Sequence, residues 1–278
     1  MLLGALQMRS STDAATNLKT IADACADAKG QGVDYLQLPE MAVMFAEDHA
    51  SLKKWAHGGE AQAVIQTLSD LAKQFEINLH VGSLAVASPS GKCLNRSFLF
   101  GRSGQVIAQY DKIHLFDADV IGDAPYRESN NFDAGEQAVV ANVDNVQLGL
   151  SICYDVRFPS LYAALRKSGA MVLAVPAAFT VPTGQAHWDI LLRSRAIETG
   201  CYLVAAAQCG LHANGRKTYG HSMIVGPSGD KLAACTDDQP QLIVARFDES
   251  LVNDARSCIP TLANERQFSL SVNQNAAQ

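Results

Sequence analysis

Residues 146–169 read VQLGLSICYDVRFPSLYAALRKSG, and this stretch decides the fold class. Val146 to Ile152 form an apolar run of strand length. Pro159 then stands where the first turn of a helix tolerates a missing N–H, Ser160 to Lys167 continue at helical period, and Gly169 stops the element. Residues 171–175 are a second apolar run, broken by Pro176, so the unit reads strand, helix, strand, as an α/β protein requires. Downstream, a long helix is predicted over about 186–199, with strands near 201–207, 217–225, 231–235 and 241–247. Upstream lie a strand near 138–142, a segment 113–135 without clear period, and strands near 78–86, 96–100 and 105–110. A loop as long as 113–135 inside a compact domain is usually functional. Further back come a helix from Glu60 to Phe75, a strand 34–38 broken by Pro39, and a helix over about 14–29. Ser11, Thr12 or Asp13 can cap that helix, and it ends near Gly30 and Gly32. Residues 2–8 read as the first strand. Both halves run helix, strand, proline, helix, strands, and no Gly/Ser/Pro-rich linker divides them. The expectation is a single domain over residues 1–278, core about 2–268, built of two sheets with helices outside.

Composition narrows the function. Lys and Arg number 22 against 28 Asp and Glu, giving a net charge of −6 spread without long runs of one sign. A phosphate-backbone binder would show a basic stripe instead, so no nucleic-acid partner is expected. No apolar run approaches the roughly 20 residues of a membrane span, so none is expected there either. Met1 to Met8 lacks the basic start and cleavage site of a leader. The 7 cysteines are scattered without a CxxC pair, which predicts a reducing, cytoplasmic setting and no metal site.

Four side chains carry candidate chemistry. Cys153 ends the apolar strand just before the helix, at an elbow where a helix N-terminus and nearby cations favour the thiolate; a buried structural cysteine is the plain alternative. Glu40, in Leu36-Gln37-Leu38-Pro39-Glu40-Met41, is a carboxylate among apolar residues at a strand end. Its pKa should rise toward the range useful to a general base, unless it merely caps a loop. Lys112 ends another strand and could stabilise an oxyanion, or could simply pair with Asp111. Glu128, in the long loop, lies by default at the surface.

Taken together, Glu40 after Leu38-Pro39, Lys112 before Ile113-His114-Leu115-Phe116-Asp117, and Cys153 in Cys153-Tyr154-Asp155-Val156-Arg157-Phe158-Pro159 resemble the three signature blocks of the nitrilase superfamily of carbon–nitrogen hydrolases. Order and spacing match over nearly the whole chain. The resemblance implies a four-layer α-β-β-α sandwich and a Glu-Lys-Cys catalytic set, with a second glutamate that matches Glu128. Tyr126-Arg127-Glu128-Ser129, Arg193-Ser194-Arg195-Ala196-Ile197-Glu198-Thr199, Ala205-Ala206-Ala207-Gln208-Cys209-Gly210 and Tyr219-Gly220-His221-Ser222-Met223 are similar to the deaminated glutathione amidase branch. The omega-amidase branch, acting on 2-oxoglutaramate, shares the Glu-Ser and Gly-His-Ser pieces and differs around Gln208-Cys209-Gly210.

The resemblance implies that Cys153 attacks an amide carbonyl while Glu40 takes its proton. Lys112 and the Tyr154 N–H would hold the oxyanion, a thioester would follow, and no cofactor or metal would be needed. It also implies that Arg157, Phe179 and Thr183 line the pocket for a 2-oxo-dicarboxylate, and that the partners are a small amide substrate and a second copy in a homodimer or higher homo-oligomer. Arg157 lies four residues after Cys153 and could offer a bidentate fork to a carboxylate, with a salt bridge to Asp155 as the alternative. His114, His187 and His221 show no HExxH or Ser/His/Asp pattern and read as packing or hydrogen-bonding residues. Asp189 and Arg193 read as a surface i,i+4 pair. Trp188, Leu191, Leu192 and Ala196 form a packing stripe that could serve a dimer. Rival readings are a silent scaffold, a thiol redox sensor pairing Cys153 with Cys209, and a true nitrilase.

Overall fold

Alternation along β1 (Leu2–Gln7) sets the architecture: Leu3 and Ala5 enter one apolar cluster and Leu6 another, so this strand separates two cores. The computed structural model of the chain describes residues 1–121 and 125–272; residues 122–124 of the long loop and 273–278 at the end of the expected domain lie outside the described residues. Asp13 caps α1 (Ala14–Gly30) by accepting from the Ala15 and Thr16 N–H groups. Then follow β2 (Tyr35–Gln37), α2 (His49–His57), α3 (Glu60–Phe75), β3 (Asn78–Ala87), β4 (Cys93–Phe100) and β5 (Val106–Asp111). The long loop contains three two-residue strands, β6 (Asp117–Ala118), β7 (Tyr126–Arg127) and β8 (Phe132–Asp133).

The second half runs β9 (Val140–Val143), β10 (Val146–Leu150), α4 (Pro159–Lys167), β11 (Val172–Ala174), α5 (Val181–Thr199), β12 (Tyr202–Ala205) and the β13 (Cys209–Leu211), β14 (Lys217–Tyr219) hairpin. It continues through β15 (Met223–Val225), β16 (Lys231–Ala234), β17 (Gln241–Arg246), α6 (Glu249–Cys258) and α7 (Thr261–Asn264).

One sheet has the order β17-β1-β2-β3-β4-β5, with β8 beside β4, and the other β16-β15-β12-β11-β10-β9. Each has three parallel strands inside, β1-β2-β3 and β10-β11-β12, flanked by antiparallel ones. Ile21 and Cys25 of α1 and Leu68 and Leu71 of α3 pack with Leu36, Leu38, Leu79 and Val81 on the outside of the first sheet. Leu161 and Leu165 of α4 and Trp188, Leu192 and Ala196 of α5 pack with the second sheet, whose cluster also takes in Leu3, Ala5, Tyr35, Leu99 and Tyr110 from the first. The layers are therefore helix, sheet, sheet, helix, as expected.

Several expectations need correction. The long helix begins at Val181 rather than near 186, because Pro182 is accommodated in its first turn. The strand predicted over 217–225 is two strands, parted at Gly220 and His221, whose φ values are +70° and +59°. Trp188, Leu192 and Ala196 are fully buried within this chain's own core, so that stripe is closed to a partner copy.

What matters for the site is where two strands stop. β2 and β11 lie inside their sheets, and each is followed closely by a proline, Pro39 and Pro176. These ends meet over Gly82, where a Cβ would lie 2.1 Å from the Leu38 carbonyl oxygen, 2.5 Å from that of Pro39 and 2.4 Å from the Pro176 Cβ. Any side chain at position 82 would push the two strand ends apart.

Candidate active site

Cys153 follows β10, and its N–H donates to the Pro176 carbonyl at 2.8 Å, which ties the elbow to the end of β11. Its φ is +48°, a left-handed conformation unusual for a residue with a Cβ. Such strain persists where the surroundings over-determine it. Here the fully buried Asp155 carboxylate does so: Oδ2 accepts from the Ile152 N–H (2.8 Å) and the Tyr110 hydroxyl (2.7 Å), and Oδ1 from the His114 N–H (3.0 Å), with His114 Nδ1 at 2.7 Å. The chain then makes a 3-10 turn over residues 153–157, and α4 starts only at Pro159. The α-helix starts at Pro159 as expected, with one short turn between it and the thiol.

Around the thiol the structure brings Glu40, Lys112 and Glu128 together. Lys112 donates to Glu40 Oε1 at 2.9 Å and to both Glu128 oxygens at 3.1 and 2.9 Å. The Lys112 and Glu40 side chains are 2% and 6% exposed, and that of Glu128 14%, so Glu128 is not the surface residue its loop position suggests. The other expected partner of Lys112, Asp111, is held instead by Arg96 at 2.6 and 2.8 Å. Asn95 in β4 donates to Glu40 Oε1 (2.9 Å) and Glu128 Oε1 (3.2 Å), and the Ala178 N–H donates to Glu40 Oε2 at 2.9 Å. The Cys153 thiol lies close enough to the same Glu40 carboxylate for the two to interact electrostatically.

These contacts reverse two electrostatic expectations. Burial pushes the Glu40 carboxyl up, but the Lys112 ammonium with its hydrogen bond, the Cys153 thiol and the hydrogen bond from Asn95 outweigh it and hold Glu40 below its ordinary range. Burial and the neighbouring Glu40 charge push the Cys153 thiol well above its ordinary range, against the smaller pull of Lys112 and the Ala178 N–H. Burial alone would lower Lys112, yet Glu128, Glu40 and Cys153 raise it well above its usual value. At neutral pH the site holds a neutral thiol, an ionised Glu40 and an ammonium.

This cluster opens on a cavity of about 390 Å³. Arg157, Phe179 and Thr183 all line it. The Arg157 guanidinium lies 5.2 Å over the Phe179 ring and 6.0 Å over Tyr154, with Nη1 3.2 Å from His187 Nδ1. Among the described residues it has no carboxylate partner: Asp155, its expected alternative, is engaged by His114 and Tyr110. The Thr183 hydroxyl meets that of Thr180 at 2.7 Å. The Tyr154 N–H belongs to the first turn of the 3-10 segment, where backbone donors lack partners within the turn.

Residues 2–257 match the carbon-nitrogen hydrolase family. The chain belongs to this family. Deaminated glutathione amidase of Synechocystis is 38% identical to it over 265 residues, 94% of this chain and 96% of that one. The crystal structure of the C. elegans NitFhit protein superposes with a TM-score of 0.90 at 34% identity, covering 100% of this chain and 68% of that chain. A mutant amidase from Nesterenkonia sp. AN1, carrying acrylamide added at its active-site cysteine, superposes with a TM-score of 0.78 at 28% identity over 95% of this chain and 99% of that chain.

Other parts of the hydrolase were not foreseen from sequence. The Gln208 amide donates to the Glu40 carbonyl at 3.1 Å and the Ser10 hydroxyl at 2.7 Å, and it accepts from the Ser10 N–H at 3.0 Å, fixing the backbone that carries Glu40. Arg216 enters the cavity from the β13–β14 hairpin, 5.3 Å over each of the Phe45 and Tyr126 rings. Asn95 sits one residue outside the strand expected over 96–100, and nothing local marks Arg216. Of the histidines, His221 bonds the Tyr219 carbonyl and stacks on its ring. Asp189 sits 3.6 Å from Arg193 and closer, 2.6 Å, to Lys231. Cys153 and Cys209, the pair of the redox-sensor reading, are both free and buried, and the Arg9 Nε–H donates to the Cys209 carbonyl at 3.1 Å. No helix among the described residues is long and apolar enough to cross a membrane.

Proposed function

We propose that this hydrolase cleaves the amide bond of deaminated glutathione to 2-oxoglutarate and cysteinylglycine, a metabolite-repair reaction. The observation that carries the chemistry is Cys153 lining one cavity with the buried Glu40 carboxylate and the Lys112 ammonium that pairs with it at 2.9 Å. A thiol against a carboxylate is a nucleophile and its base in the waiting state. Cys153 attacks the carbonyl as Glu40 takes the thiol proton, and the oxyanion meets Lys112 and the Tyr154 N–H. One such donor contributes about 3 kcal/mol in comparable acyl-transfer sites. Glu40 returns the proton to the departing amine, leaving a Cys153 thioester. It then activates water, which adds to the thioester and releases the acid and the thiol. Glu128 orients Lys112. These steps use side chains, one backbone N–H and water.

For the substrate, support comes from the relatives named deaminated glutathione amidase, 38% identical for Synechocystis and 36% for the human protein. Arg157 over Phe179, with Thr183, offers the seat for the 2-oxo acid end. The free cysteines fit a cytoplasmic setting. In a homodimer the partner would cover the outer face of α5, where Ile190 and Ile197 are exposed. The test is side-by-side turnover of deaminated glutathione, 2-oxoglutaramate and a simple nitrile by the native chain and Cys153→Ala. Deaminated glutathione should be the best substrate and Cys153→Ala inactive with an unchanged melting temperature. Retained turnover in that variant removes the nucleophile, and a far better rate on 2-oxoglutaramate removes the substrate.

A further inference from the structure

The geometry points to Arg216 as the seat for a carboxylate on the leaving amine, which makes the hydrolase selective for dianionic N-substituted amides over primary ones. This rests on the amidase reading above and extends it across the scissile bond.

Arg216 is held but not satisfied. Its guanidinium lies 5.3 Å from both the Phe45 and Tyr126 rings, and Nη2 donates to the Ala178 carbonyl at 3.1 Å. Its Nε is buried without a hydrogen-bond partner, and among the described residues no carboxylate pairs with it. Among the described residues Nη1 makes no hydrogen bond and is not buried, so this oriented guanidinium keeps an open donor in the ligand cavity that a carboxylate can take. The charges around it agree. Lys112 is matched by Glu40 and Glu128, and Arg127 pairs with Asp119, so the unmatched cavity cations among the described residues are Arg157 and Arg216. Glu47 and Asp48 also line the cavity, but both are solvent-exposed, and Asp48 is occupied in capping α2. Two guanidiniums in a chain of net charge −6 match a substrate with two carboxylates.

The sides of the cavity assign them. Arg157 shares its 3-10 turn with Cys153, the residue that keeps the acyl group. Arg216 shares Ala178 with Glu40, which protonates the amine: the Ala178 N–H is 2.9 Å from Glu40 Oε2 and its carbonyl 3.1 Å from Arg216. One residue of backbone thus separates the proton donor from the guanidinium. A dipeptide leaving group spans about 7 Å when extended, enough to bridge that gap and bring its terminal carboxylate to Arg216. Ammonia, the leaving group of a primary amide, reaches nothing there.

The experiment compares deaminated glutathione with its C-terminal carboxamide form, in the native chain and in Arg216→Gln and Arg216→Lys, with 2-oxoglutaramate alongside. The native kcat/KM should favour the free acid by roughly 10- to 100-fold, the span expected for a charge-assisted bidentate contact. In Arg216→Gln that ratio should fall to near one, and in Arg216→Lys to an intermediate value, because the charge remains and the fork is gone. The ratio is internal to each enzyme, so partial loss of folded protein does not move it. An Arg216→Gln ratio equal to the native one overturns the assignment, as does a native ratio near one. Native preference for 2-oxoglutaramate over both forms defeats the substrate reading instead, and the ratio still judges Arg216.

Discussion

The floor and the walls of the cavity treat charge in opposite ways. At the floor, Lys112 is 2% exposed and meets two carboxylates, and Glu40 takes two further hydrogen bonds, from Asn95 and the Ala178 N–H. On the walls, Arg157 and Arg216 lie against aromatic rings and, among the described residues, have no carboxylate. A buried charge without its partner is costly, so the floor must hold its ionisation states whether or not a ligand is bound. A guanidinium on an aromatic face at a partly open wall can wait for an anion. On the proposed reading the floor does the chemistry and the walls the recognition.

The largest effect should come from breaking the floor. Lys112→Ala leaves Glu40 and Glu128 sharing a buried site without a cation, and should cost about 3–5 kcal/mol of stability and roughly 10²- to 10³-fold in kcat. Chemical denaturation and turnover measure the two. A loss under about 1 kcal/mol would mean the site relaxes around bound water and the contrast with the walls is false. Next is the elbow. Asp155→Asn replaces a carboxylate that accepts on both oxygens with a group that must donate on one side, and should destabilise the protein by about 1–3 kcal/mol. Because the Asp155 carboxylate holds the Cys153 elbow rather than substrate, kcat should fall with KM nearly unchanged; a KM effect alone would place Asp155 in binding.

The smallest effect is in the pH profile. Glu40 is depressed in the folded chain, so its ionised form, the base of the proposed mechanism, and the stability it contributes are present above the ordinary glutamate value near 4.5 and are lost only as pH falls through the lower folded value. The acid limb of kcat/KM should therefore lie below 4.5. Asn95→Ala removes one donor to the carboxylate and should move that limb upward by less than about one unit. A downward shift would show that Asn95 opposes the ionised form.

The sequence made the layers legible because caps, prolines and apolar runs are local. Asp13, Pro159 and Gly169 mark α1 and α4 at their ends, and the runs at 171–175 and 241–247 locate a buried inner strand and a half-buried edge strand. It missed α2, whose HASLKKWAH carries too few apolar positions to show a period, and it ran one strand through Gly220 and His221. At the site, Glu40, Lys112 and Cys153 stand out only as a set in register. The electrostatics were read backwards because each residue was weighed alone: Glu40 by its apolar neighbours in sequence, Cys153 by a helix behind it. The deciding partners are 72 and 55 residues from Glu40, at Lys112 and Asn95, and arrive through the sheets. Arg216 had no sequence signal, since its meaning comes from Phe45, Tyr126 and Ala178 gathered by folding.

The raised thiol at Cys153 has a consequence for durability. Peroxide and other oxidants attack the sulfur anion and need access to it. Cys153 is buried, and a raised thiol that keeps its proton at rest offers them little target. The hydrolase becomes reactive as its proper carbonyl settles against the sulfur, and between turnovers it resists the chemical ageing that disables cysteine enzymes poised in the anionic form.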